Sequence, residues 1–138
     1  MLSASPNKLK LSFDSVFYYV TNIEDSIAFY RDTLGIRMVS HDYVARFELD
    51  GVLLELVPLP PGSVVPGSGN ARLCFAVSDL QQTLGHLHAR GVGTSGIKLK
   101  KGGKIAFFHD PDGNELSLWE YQDVEDARTA VKSRDILV

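Results

Sequence analysis

The chain has 138 residues, 14 Lys+Arg against 17 Asp+Glu, a formal charge of −3 and 44% hydrophobic residues, which suits one ordinary globular domain or two small halves sharing a core. Such a length buries roughly two-thirds of the unfolded surface, and a lone Cys74 allows no intrachain disulfide. The acidic balance speaks against nucleic-acid binding, no apolar run approaches the roughly 20 residues of a spanning helix, and Met1–Pro6 lacks the apolar core of a secretory signal; a cytoplasmic protein with neither nucleic-acid nor membrane partners is expected.

After an N-terminal extension, residues 1–10, the β-rich run Val16–Val20 leads to Thr21 and to Asn22, a helix N-cap with Asp25 at the third helical position. Ile23, Ile27, Tyr30 and Leu34 then recur at helical spacing, and Gly35 supplies the left-handed stop. A strand-rich stretch, Ala45 to Val57, follows and contains Asp50-Gly51, a strong hairpin signal. Residues 58–70, rich in proline and glycine, exclude both helix and central strand and read as a linker.

The order then repeats. Leu73–Val77 aligns with Val16–Val20, 57 residues earlier. Asp79 caps a helix whose capping-box partner is Gln82, whose apolar stripe is Leu80, Leu84 and Leu87, and whose end is Gly91. Ile105 to Trp119 is the second strand-rich stretch, with Asp112-Gly113 at its turn, and Gly102-Gly103 marks another turn in a lysine-rich hairpin. The expected boundaries are residues 11–57 and 71–121 for the two halves, with 122–138 as a C-terminal helical tail in which Asp123 caps Val124, Ala127 and Val131. Each half reads strand, helix, then two or three strands, which makes the fold class α+β.

Period-two alternation sorts the strand residues into two faces. Val16, Tyr18 and Val20, with Leu73, Phe75 and Val77, are expected against the helices, as are Leu54, Leu56, Leu116 and Leu118. The opposite faces carry Ser15, Phe17, Tyr19, Leu53, Glu55 and Val57 in the first half, and Arg72, Cys74, Ala76, Glu115, Ser117 and Trp119 in the second. That mixture is too apolar for open surface and too polar for a dry core, as a ligand pocket or a subunit interface would be.

The helix sequence Asn22–Gly35 and the turn Phe108-His109-Asp110-Pro111-Asp112-Gly113-Asn114 resemble two motifs of the vicinal oxygen chelate superfamily, in the expected order and at the expected separation. That superfamily includes glyoxalase I, extradiol dioxygenases, fosfomycin-resistance transferases and bleomycin-resistance binding proteins. The resemblance implies two tandem βαβββ modules whose sheets curl around a cavity, often completed by dimerisation; a homodimer is expected here.

Enzymes of the superfamily usually hold a divalent metal on His, Gln or Glu side chains from the first and last strand of each module. The matching positions here are Ser15, Glu55, Arg72 and Ser117. A serine hydroxyl is a poor neutral donor, and a guanidinium cannot coordinate and repels a cation. Elsewhere, His86 and His88 point about 200° apart on a helix, His41 and His109 read as surface or turn residues, and Asp110–Gly113 lacks the length of an EF-hand loop. The expectation is therefore no metal and no cofactor.

Two functions remain open. In the first, Glu55 and Arg72 form a charge pair amid Phe17, Tyr19, Cys74, Ser117 and Trp119 and bind a small organic molecule, as in the bleomycin-resistance proteins. In the alternative the chain is a superfamily enzyme of lyase, isomerase or dioxygenase type, with Glu55 as base and Arg72 stabilising an oxyanion, or with a displaced metal site.

Overall fold

The computed structural model describes residues 9, 10, 13–63 and 72–122. The tail segment beginning at Asp123, and the linker from residue 64 onward, lie outside the described residues. The chain forms two βαβββ modules of identical topology.

In the first module β1 (Val16–Val20) leads into α1 (Ile23–Ile27) and a π-helical segment (Ala28–Thr33), then β2 (Arg37–His41), β3 (Ala45–Leu49) and β4 (Val52–Pro58). The sheet order is β1-β4-β3-β2, with β1 and β4 parallel and the other neighbours antiparallel. The second module repeats this with β5 (Leu73–Ala76), α2 (Leu80–Ala89), β6 (Lys98–Lys100), β7 (Gly103–His109) and β8 (Glu115–Tyr121), in the order β5-β8-β7-β6.

The capping signals act as expected. Asn22 accepts from the Asp25 amide at 3.1 Å and Asp79 from the Gln82 amide at 3.0 Å, satisfying helix-end donors that would otherwise be orphaned. Asp50 and Gly51 both take positive φ, at 52° and 79°, the geometry of a two-residue hairpin loop whose twist matches its flanking strands. The first helix departs from expectation in its second half. The Leu34 amide reaches the Phe29 carbonyl at 2.9 Å, one residue further back than an α-helix allows, and the Ile36 amide reaches Tyr30 at 3.0 Å. This wider turn keeps Tyr30 fully buried.

Both sheets place one face in a common core. Val20, Phe47, Leu54 and Leu56 of the first module are buried with Leu84, Leu87, Phe108, Leu116 and Leu118 of the second in one cluster. Each fully buried large side chain contributes about 1.5–3 kcal/mol relative to exposure. Phe29 of the first helical segment meets Phe108 of β7 with ring centroids 6.3 Å apart, so apolar contact crosses the module boundary directly.

Polar contacts lock the same boundary. Asp110, only 5% exposed, accepts from the Tyr30 hydroxyl at 2.8 Å and from Asn114 Nδ2 and the amides of Asp112 and Asn114, each at 2.9 Å. Two residues on, Asp112 accepts from the Thr21 amide at 3.1 Å, so one turn of the second module serves the start of α1.

Burial, then the neighbouring Asp110 carboxylate and its hydrogen bond, pushes the Tyr30 phenol far above its ordinary value near 10. Below pH 10 the phenol is neutral folded or unfolded. Above it the unfolded chain releases a proton that the folded chain keeps, so stability falls as pH rises from 10 upward. Tyr30→Phe should cost about 1–3 kcal/mol at neutral pH by leaving Asp110 short of a donor. Urea unfolding from pH 7 to 11 should also show a shallower alkaline loss for the variant than for the parent chain.

Candidate functional site

The alternation along the strands leaves one face of each sheet outside the common core. On β1, Val16 and Tyr18 are half-buried and Val20 fully so, while Phe17 and Tyr19 are 50% and 43% exposed, their rings edge to face at 5.4 Å. On β5, Cys74 and Ala76 are exposed where Leu73 and Phe75 are half-buried. Since the opposite faces merge in one core, the two open faces point away from it.

On the first open face Glu55 lies at the centre. The Ser15 hydroxyl donates to Oε1 at 2.9 Å, and Arg46 Nε donates to Oε2 at 2.9 Å. Arg46 also reaches Asp42 at 3.3 Å, so the guanidinium joins the carboxylates of β4 and the β2–β3 turn. Its pKa is raised, chiefly by the bond to Glu55. The Asp42 carboxyl is held below its ordinary range, first by the Val44 amide and further by Arg46.

On the second open face Arg72 Nε donates to Glu115 Oε2 at 2.9 Å, and His109 Nε2 lies 3.8 Å from the other Glu115 oxygen. One rung along, Ser117, 2% exposed, donates from its hydroxyl to Cys74 Sγ at 2.6 Å. Next to them Trp119 and Tyr121 stack in parallel at 5.4 Å. Tyr18 borders this half from the core side. Its phenol pKa is raised mainly by burial and then by Asp110 and Cys74, against a hydrogen bond to the Leu73 backbone and the Arg72 charge.

The structure therefore replaces the expected Glu55–Arg72 pair by two pairs, Glu55 with Arg46 and Arg72 with Glu115. The reason is register: Arg46 stands directly opposite Glu55 on the neighbouring antiparallel strand, and the Leu73–Leu116 pairing brings Arg72 beside Glu115. Each charge is satisfied within its own sheet. Phe17, Tyr19 and Glu55 share one open face, and Arg72, Cys74, Ser117 and Trp119 the other. Arg46 and Glu115 are the polar residues that sequence reasoning did not single out as site members.

The four superfamily ligand positions do not suit a divalent cation here. Ser15 and Ser117 offer only neutral hydroxyls, which are poor ligands, Arg72 has no lone pair and carries a fixed positive charge, and Glu55 is the one carboxylate among the four. Among the described residues no three His, Cys, Asp or Glu side chains converge elsewhere in a ligating arrangement.

Two tandem βαβββ modules joined through one core, each with an outward half-polar face, define a paired-module protein of the vicinal oxygen chelate type. The chain belongs to the Glyoxalase/Bleomycin resistance protein/Dioxygenase superfamily, whose sequence profile matches residues 12–118. It is 33% identical over 114 residues to "Uncharacterized protein YaeR" of Escherichia coli (strain K12), covering 72% of this chain and 88% of that protein. TnmS3, an antibiotic binding protein from Streptomyces sp. CB03234, superposes with a TM-score of 0.66 at 26% identity, over 82% of this chain and all of that one. Lactoylglutathione lyase from Agrobacterium tumefaciens shares the fold, with a TM-score of 0.64 at 19% identity over 81% of this chain and 95% of its own.

The Arg46–Glu55 pair is partly shielded from solvent. A double-mutant cycle with Arg46→Met and Glu55→Gln, read by chemical denaturation, should give a measurable favourable coupling. The same cycle on Glu55 and Arg72 should give coupling within about 0.5 kcal/mol of zero.

Proposed function

We propose that this chain binds a small organic molecule on its open sheet faces without a metal ion. The observation that carries this reading is the state of the four superfamily ligand positions: two hydroxyls, a carboxylate and a guanidinium, each engaged by a partner in its own sheet. Around them stand Phe17, Tyr19 and Trp119, flat apolar surfaces suited to an aromatic or conjugated ligand. Arg72 meets an anionic or carbonyl group, Glu55 a cationic or hydroxyl group, and Cys74 and Ser117 line the floor between them. The likeness to an antibiotic binding protein supports the same class of activity.

The site is completed by a second copy in a homodimer. Within one chain the Glu55 face and the Arg72 face both turn away from the shared core, so a single cleft with both needs the first module of one copy opposite the second module of another. Exposed aromatic rings on β1 give such a contact its apolar component. Binding rather than turnover is favoured because Ser15 and Arg46 hold Glu55 as a structural ion-pair partner within its own sheet.

Titration of Trp119 fluorescence with a panel of planar aromatic cations and anions should show saturable quenching, and no response to any compound would defeat the binding reading. The metal question is read separately. Protein purified without chelators should hold well under one equivalent of Ni, Zn, Fe or Mn, whereas the triple variant Ser15→His, Arg72→His, Ser117→Glu should acquire one. Sedimentation should give a dimer for the parent chain and a monomer for Phe17→Glu.

A further inference from the structure

A cavity of about 260 Å³ lies between the modules on the side away from the open faces. Its walls are apolar: Leu34 and Ile36 follow the π-helical segment, Phe75 comes from β5, Leu87 from α2, and Phe108 and Leu118 from β7 and β8. Its polar groups come almost entirely from α2 and its C-cap. Thr83, His86 and Arg90 recur at helical spacing beside Leu87, so they form one edge rather than a scattered rim.

Arg90 is held at this edge by an uncharged group. Its Nη1 donates to the Thr33 carbonyl across the module boundary at 2.6 Å, and no carboxylate among the described residues pairs with it. The adjacent acidic residue, Asp32, is bound instead by Arg31 at 2.8 Å. A guanidinium oriented by a main-chain oxygen keeps its charge uncompensated and further N–H groups free to donate.

We propose that this cavity is a second binding site, separate from the open faces, for a small carboxylate with an apolar body. The aryl or alkyl part fills the space between Phe75, Leu87 and Phe108, and the carboxylate meets Arg90, with Thr83 and His86 beside it. The volume lies just below the ~300 Å³ at which drug-sized pockets begin, which sets the ligand at about the size of one ring with a short chain. Because Leu34 and Ile36 belong to one module and Phe75, Leu87 and Arg90 to the other, an occupant bridges the two.

The probe is 3-phenylpropionate, with 3-phenylpropan-1-ol as its uncharged counterpart, followed by methyl NMR of the unmodified chain. The acid should shift the methyls of Leu34, Leu87 and Leu118 saturably, with a dissociation constant below about 1 mM. The alcohol should bind at least about tenfold more weakly, the difference expected from losing a charge-assisted hydrogen bond. Arg90→Gln should weaken the acid by a similar factor and Arg90→Lys should recover most of it. Absence of saturable shifts, shifts confined to residues near Trp119 and Phe17, or equal affinity for acid and alcohol would each overturn the proposal. The acid-against-alcohol comparison decides the matter even where an Arg90 variant fails to fold, and it is independent of ligand binding at the open faces.

Discussion

The hydrogen bond from Tyr30 to Asp110 is the buried polar contact that ties the first module to the second. A carboxylate that is almost wholly buried needs several donors, and Asp110 takes two from the backbone of its own turn, one from Asn114 and one from the other module. Losing the last would leave Oδ2 of a buried carboxylate with Asn114 Nδ2 as its one remaining side-chain donor. The wide π-helical turn is what holds the phenol there, since a regular α-helix through Ala28–Thr33 would rotate Tyr30 relative to its neighbours. Local irregularity and tertiary bonding are thus one feature seen at two levels.

That lock joins the first helix to the β7–β8 turn, and each module turns its helix-side sheet face into the core it shares with the other. The apolar residues of both sheets then share a core, and the alternate residues of β1 and β5 are turned outward. The same geometry produces both of the features to which a function is assigned. It creates outward faces that carry charge pairs and aromatic rings, and it leaves a seam between the modules where packing is incomplete and an apolar cavity remains. Core and site are two faces of the same strands.

Most of the architecture was legible in the sequence because its signals are local. Asn22 and Asp79 bond to the amides three residues on, Gly35 and Gly91 take positive φ, and the Asp50-Gly51 loop is a hairpin. Assignment of side chains to strand faces followed from alternation alone. The charge pairing did not follow, for two different reasons. Arg46 could have been found: counting outward from Asp50-Gly51 sets Leu49 opposite Val52 and, three pairs on, Arg46 opposite Glu55. The Arg72–Glu115 contact could not, because β5 and β8 are parallel strands joined by a long connection, and no turn fixes their register. The π-helical turn was equally hidden, since helical spacing of Ile23, Ile27 and Tyr30 does not distinguish it from a continuous α-helix.

The two arginines also explain why the half-sites can do without an ion in the proposed reading. A metal bound by side chains from both modules holds carboxylates together that would otherwise repel, and its charge is shared between the two halves. Here each carboxylate has a guanidinium of its own within the same sheet, at 2.9 Å in both cases. Neither half then requires the other to balance its charge, and in the proposed dimer what brings them together is left to shape and apolar contact. A cleft of that kind discriminates by the fit of a ligand to rings and by exchange of hydrogen bonds at the edges of existing ion pairs. Such exchange favours ligands that carry both a donor and an acceptor, because a group that broke one ion pair without replacing the lost bond would leave a half-buried charge uncompensated.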